Sequence, residues 1–173
     1  MIHYKLYLKN PHSHYIYVDL TIDAVSSPSL ELQLPAWRPG RYELGNFAKN
    51  VKRVDVFDEN DKPLVYQKST KDCWVVETNG AKKVKVTYSY HTTEINAGNC
   101  FADDTQLYVN PVHLCMYVPH RVNEEHSVEL EIPDTYKIAT SLKTKGKVLT
   151  AESFDELADS PIMTSANLQS DFY

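Results

Sequence analysis

Apolar and polar positions alternate with a period of two along most of this chain. Ile2, Tyr4, Leu6 and Leu8 interleave with His3, Lys5, Tyr7 and Lys9, and Ile16, Val18, Leu20 and Ile22 interleave with Tyr15, Tyr17, Asp19 and Thr21. Successive strand residues point to opposite faces, so this rhythm gathers the aliphatic side chains on one face and leaves the other to water. It returns at Leu30, Leu32 and Leu34, at Val54 and Val56, at Val84, Val86, Tyr88 and Tyr90, and at Val128, Leu130 and Ile132. Strands with one wet face predict antiparallel pairing.

The runs are separated by turn chemistry at Asn10-Pro11, Ser26-Ser27-Pro28, residues 58–63, Asn79-Gly80, Pro133-Asp134 and Lys145-Gly146. Asn79-Gly80 supplies positive φ angles, and its position predicts a tight hairpin between the strands at 74–78 and 82–90. Helical signal is confined to Ser153-Phe-Asp-Glu-Leu-Ala158, where Ser153 is placed to cap and Glu156 to complete a capping box. These patterns predict an all-β chain: an antiparallel β-sandwich of one domain, with at most one short helix near the C-terminus. The alternation fades after Asp159-Ser160-Pro161. We therefore expect a sandwich domain over residues 1–161, with 162–173 beginning a linker to a further domain, as if the chain were cut from a longer protein.

Composition agrees with a folded domain and removes several function classes. The chain has 173 residues, 42% apolar and 24% charged, enough for a domain that buries roughly 70% of its unfolded surface. Its 18 basic against 23 acidic residues give a net charge of −5, whereas phosphate backbones select a basic excess. No nucleic-acid partner is expected, and the basic clusters at 49–53, 82–85 and 143–147 read as wet strand faces. There is no secretory leader pattern, and no apolar run approaches the roughly 18 residues of a membrane helix, so no membrane partner is expected. Cys73, Cys100 and Cys115 are odd in number and lack CxxC spacing, which suits free thiols in a reducing cytoplasm and excludes a zinc ribbon.

Candidate chemistry is sparse. His12-Ser-His14 has two potential ligands at a turn and no third nearby. His120 and His126 are six residues apart, too far for one helix face, unlike the four of HExxH. His113-Leu-Cys115 has strand spacing and reads as packing. Asp103-Asp104 and Glu124-Glu125 read as solvated loop acids. No GxSxG elbow, P-loop or GxGxxG occurs. No catalytic residue and no metal site is assigned, and the chain alone is expected not to be an enzyme.

The segment that demands explanation is Leu34-Pro-Ala-Trp-Arg-Pro-Gly-Arg-Tyr-Glu-Leu-Gly-Asn-Phe-Ala48. Pro35 and Pro39 fix φ, Gly40 permits a turn, and Trp37, Tyr42 and Phe47 bring large apolar area to a stretch that is not a regular strand. One reading is a sandwich corner with Trp37 buried beneath the turn. The other is a docking loop with Arg38 and Arg41 exposed.

This segment resembles the LPxWxPGxYxxxxFA signature of the N-terminal domain of the glycyl aminopeptidases, a gluzincin family of zinc metallopeptidases. Trp74, residues 84–90, Tyr108-Val-Asn110, Ile132-Pro133 before Ile138-Ala-Thr140, and Phe154-Asp-Glu-Leu-Ala-Asp-Ser-Pro161 are similar to the same domain, so the resemblance spans nearly the whole chain. It implies a non-catalytic N-terminal domain that packs on its own thermolysin-like catalytic domain. That domain, absent here, would carry HExxH and zinc. A wider resemblance to other zinc aminopeptidases implies that Tyr108 and Asn110 reach the substrate cleft and help hold the peptide's N-terminus, although Asn110-Pro111 departs from the Gln and acidic residue of those relatives. The alternatives are a stand-alone immunoglobulin-like binding module, or a small esterase or metal protein.

Overall fold

The computed structural model describes residues 1–38, 40–41, 43–92, 94–95 and 98–169. In chain order the strands begin with β1 (Ile2–Tyr7), β2 (Tyr15–Asp23), β3 (Ser29–Gln33), β4 (Val51–Phe57), β5 (Tyr66–Thr70) and β6 (Cys73–Glu77). There follow β7 (Lys83–His91), β8 (Phe101–Ala102), β9 (Gln106–Val109), β10 (His126–Glu131) and β11 (Lys137–Ala139). The chain closes with β12 (Lys143–Lys145), β13 (Val148–Ala151) and β14 (Ile162–Ser165). Two short helices, α1 (Pro111–Leu114) and α2 (Phe154–Ala158), lie between strands.

One seven-stranded sheet, in the order β12-β13-β10-β1-β2-β7-β4, forms one layer. Against it lie a four-stranded sheet, β11-β14-β9-β8, and a three-stranded sheet, β3-β6-β5. The register of β1 on β2 sets Ile2, Tyr4 and Leu6 opposite Ile22, Leu20 and Val18, and all six are buried. The alternation therefore became one apolar face, as expected. Together with Leu32, Trp74, Val76, Leu107, Val109 and Ile162 from the smaller sheets, these residues form a single core. The β-sandwich reading stands.

Four local expectations are corrected. Asn79 and Gly80 do take positive φ, 51° and 83°, but the strands they join are not paired: β6 pairs with β3 and β5, and β7 with β2 and β4. The turn is a crossing between layers. Thr78 is tied to Ser27 and Pro28 by bonds of 2.6 and 3.1 Å, and the Val25 N–H donates to Lys82 O at 3.0 Å. The β2–β3 and β6–β7 crossings thus run side by side and hold each other.

Secondly, β1 and β10 pair in parallel. The chain visits both smaller sheets between them, so no hairpin fixes their direction. Thirdly, residues 162–165 do not begin a linker, because β14 lies between β11 and β9 with Ile162 and Thr164 fully buried. Fourthly, α1 is a second helix that the pattern did not announce, four residues being too few to show a helical period. At α2 the Ser153 hydroxyl accepts from the Glu156 N–H at 3.2 Å, whereas Glu156 Oε2 accepts from Glu152 N–H at 2.6 Å, one residue ahead of the capping-box donor.

Two core tyrosines fix the segment that follows α1. Tyr4 OH donates to Met116 O at 2.8 Å and Tyr88 OH donates to Leu114 O at 2.6 Å, while Met116 N–H donates to Tyr88 OH at 3.2 Å. These bonds strap residues 114–116 across the inner face of the large sheet, where unpaired carbonyls would be costly.

Candidate functional site

The loop at residues 34–48 is closed by its own backbone. Leu34 N–H donates to Asp72 O at 2.8 Å, and Gly45 N–H donates to Ala36 O at 2.7 Å. Gly40 has φ 79°, the left-handed conformation that glycine adopts without strain. A Cβ on Gly45 would collide with the Phe47 ring, so that position needs glycine for a different reason. Phe47 turns inward and packs on His113 with ring centroids 4.2 Å apart. Pro35 lines a cavity on the outer side of the loop. Pro39 and Tyr42 lie outside the described residues.

Trp37 does not anchor the loop. It is 49% exposed, and Leu44 beyond it is 75% exposed. This overturns the expectation of a buried Trp37: Leu34 and Phe47 supply the inward contacts, and the indole is left at the rim. Trp37 and Pro35 line a cavity of about 420 Å³ together with Val112, Tyr117, Phe154 and Ala158. Its floor is set by Tyr117 and Phe154, stacked 4.4 Å apart.

Tyr108 sits on β9 between Phe101 of β8 and Met163 of β14, on the side of the small sheet away from the core. Asn110 follows at the start of α1 and is buried. Its N–H donates to Cys100 Sγ at 3.2 Å, and the thiol in turn donates to Asn110 O at 3.5 Å. Burial pushes the Cys100 thiol up to about 12, against the pull of that hydrogen bond. The structure does bring Tyr108 and Asn110 together. They line a second cavity, about 190 Å³, with Arg38, Val112, Ala158, Asp159 and Pro161. Val112, Ala158 and Asp159 also line the first, so the two form one continuous face.

His113 has helical and not strand geometry, which corrects its reading as one of an alternating pair with Cys115. It is fully buried, and neither ring nitrogen has a hydrogen-bond partner. Burial, reinforced by the Arg38 and Arg41 charges, lowers its pKa to about 4, so the imidazole is neutral at pH 7. The other histidines are dispersed. His14 Nδ1 lies 3.0 Å from Ala102 O, and His126, buried at the start of β10, has Nδ1 2.8 Å from Glu124 O. Among the described residues no group of three or more His, Cys, Asp or Glu is placed to hold a metal ion.

Sequence reasoning missed Tyr117, Phe154 and Asp159 as parts of this face. The one available signal was the Ser153 cap, which puts Phe154 and Asp159 at opposite ends of a single short helix.

The sequence profile of the Peptidase M61 N-terminal domain matches residues 3–166. The chain belongs to the peptidase M61 N-terminal domain family. The resemblance carried by residues 34–48 is borne out, and β14 falls within the matched span. Among solved structures, this M61 N-terminal domain is similar to an aminopeptidase N family protein from Idiomarina loihiensis, with a TM-score of 0.86 and 24% identity over 95% of this chain. It is also similar to an M1 zinc metallopeptidase from Deinococcus radiodurans, a mutant solved with a Tyr-Ser-Ala substrate, with a TM-score of 0.51 and 11% identity over 95% of the chain. Those two likenesses are of fold. The M61 N-terminal domain spans 29% of the first protein and 41% of the second. No curated protein matches the chain.

Proposed function

We propose that this M61 N-terminal domain is the non-catalytic N-terminal part of a zinc-dependent aminopeptidase of the glycyl aminopeptidase type, and that it packs on its catalytic domain through the Trp37 face. The observation that carries this reading is the exposure of Trp37 where it lines the cavity floored by Tyr117 and Phe154, with Leu44 exposed on the same loop. Exposed large aromatic and aliphatic side chains on one loop are the composition of an interface core. Zinc belongs to the catalytic domain, which would supply HExxH and the activated water. No residue of this chain is assigned to it. Tyr108 and Asn110, at the far end of the same face, contact the peptide substrate and help to hold its N-terminus. Their part is orientation and not bond-making. The reducing cytoplasm is proposed as its compartment, supported by three cysteines that are all unpaired and buried.

The test is a double substitution, Trp37→Asp with Leu44→Asp, in the protein expressed from the complete reading frame. Charges at both positions should uncouple the domains, splitting one calorimetric transition into two and opening the junction to limited proteolysis. A double variant that melts and resists protease as the wild type does would remove this face as the docking surface.

A further inference from the structure

The wet face of the large sheet carries a trough, on the other side of the sheet from the core. Thr87 and Ser89 of β7 form its floor with short side chains. One wall comes from β1 and β2, where Tyr7 and Tyr17 lie opposite each other and stack with ring centroids 5.5 Å apart, and the Tyr7 hydroxyl donates to Asp19 Oδ1 at 3.3 Å. The other wall is β4, where Asp55 lies opposite Thr87. Arg53 joins this wall only because the strand is irregular. After Lys52, which lies opposite Ser89 on the wet face, a regular strand would turn residue 53 towards the core. Instead the register shifts between Lys52 and Asp55, Arg53 takes φ 53° and stays exposed, and Val54 packs on the core in its place. Such a bulge re-aims one side chain, and a positive φ at a non-glycine residue is strain of the kind that gathers at binding sites.

Elsewhere on this face opposite charges meet: Lys5 pairs with Glu131 at 2.6 Å, Lys83 with Asp23 at 3.0 Å and Lys85 with Asp61 at 2.6 Å. Lys9, Asp19, Arg53 and Asp55, which line the trough, enter no ion pair among the described residues. Two cations and two carboxylates cancel, so the trough selects neither an anion nor a cation. It offers charged donors, charged acceptors and hydroxyls side by side. A neutral ligand rich in hydroxyls uses all of them, since each hydroxyl both donates and accepts. The tyrosine pair adds aromatic surface with a polar tip. We propose that this trough binds a neutral saccharide, a short chain of pyranose rings lying over Thr87 and Ser89 with the C–H face of one ring against Tyr17. Lys9, exposed and with Nζ 4.3 Å from the Tyr17 centroid, swings from that ring to a sugar hydroxyl. The cavity measures about 520 Å³, within the range of about 300–1,000 Å³ typical of small-molecule sites. It shares no lining residue with either cavity of the Trp37 face, so the saccharide and the catalytic domain do not compete.

The experiment is an NMR titration of the ¹⁵N-labelled 173-residue chain with maltotriose, cellotriose and triacetylchitotriose, and with inorganic phosphate as the charged probe. At least one trisaccharide should give saturable shifts at the amides of Tyr17, Asp19, Arg53, Thr87 and Ser89, and phosphate should give none there. Arg53→Gly removes the guanidinium together with the strain, because glycine takes a positive φ freely. That variant should melt at or above the wild-type temperature and still bind the same trisaccharide at least tenfold more weakly, a combination that a merely structural role for Arg53 would not produce. Asp55→Asn, a near-isosteric change at an exposed position, should weaken binding in the same direction, so the outcome does not depend on one variant. Absence of saturable shifts with all three trisaccharides, saturable shifts with phosphate in their place, or unchanged affinity in both variants overturns the proposal. The docking test on the Trp37 face is independent of this one, and either can fail without the other.

Discussion

Replacing each tryptophan by alanine separates structural from docking roles. Trp74 is 2% exposed and sits in the core on β6, paired across from Leu32. Removing it takes a large aromatic out of close packing and leaves a cavity, which costs about 3–5 kcal/mol. Trp37 is 49% exposed. An aromatic side chain buries up to about 250 Å², so the indole has removed roughly half of that from water. At about 25 cal/mol/Å² this is about 3 kcal/mol as an upper bound, and allowance for a compact unfolded chain and for the retained Ala brings it to about 1–2 kcal/mol. The remaining half of the ring becomes valuable only when a partner covers it. Thermal and urea unfolding of the 173-residue chain should therefore show Trp74→Ala severely destabilised and Trp37→Ala mildly so. In the complete protein Trp37→Ala should in addition loosen the contact between domains by about 3 kcal/mol, or about a hundredfold. A Trp37→Ala chain that loses as much stability as Trp74→Ala would refute the assignment of Trp37 to the rim.

Three further outcomes follow from buried groups. His113 has a folded pKa of about 4 against an unfolded value near 6.5, so the unfolded state binds the extra proton, and its contribution to stability is present above pH 6.5 and lost as pH falls towards 4. His113→Phe should flatten that part of the stability profile by up to about 3 kcal/mol; an unchanged profile would show that His113 does not titrate there. His126 is shifted in the same direction by burial, so some slope should remain. Cys100 and Cys115 are buried with pKa values pushed up by burial, and Cys73 is buried too, so a thiol reagent should label none of them until the protein is unfolded. Tyr88→Phe removes the donor to Leu114 O and the acceptor for Met116 N–H, and should cost about 1–3 kcal/mol by equilibrium unfolding. A neutral effect would mean that water replaces the hydroxyl.

How much of this was legible follows from the range over which each signal acts. The buried faces of β1, β2, β7 and β10 were readable because alternation is local and the core enforces it. The Asn79-Gly80 turn was readable as a turn, since φ preference is also local. Its pairing was not, because which sheet receives β7 depends on the register with β2 and not on the two turn residues. Ile162-Met-Thr-Ser165 escaped notice because Thr164, though fully buried, is polar and hides the alternation. Trp37 showed its size but not its direction, which is set by Phe47 filling the inward position instead. The cavity was the least legible feature. Arg38, Tyr108 and Asp159 come from a loop, a strand and the end of a helix, and no local pattern brings them together.

The central claim, that this is the non-catalytic domain of a zinc aminopeptidase, is met most directly by one paired assay. Zinc content and hydrolysis of glycyl and alanyl peptide substrates should be measured for the 173-residue chain and for the protein from the complete reading frame. The account predicts stoichiometric zinc and chelator-sensitive turnover in the complete protein, with neither in the 173-residue chain. Stoichiometric zinc or turnover in the short chain, or a complete protein that has neither, would contradict it.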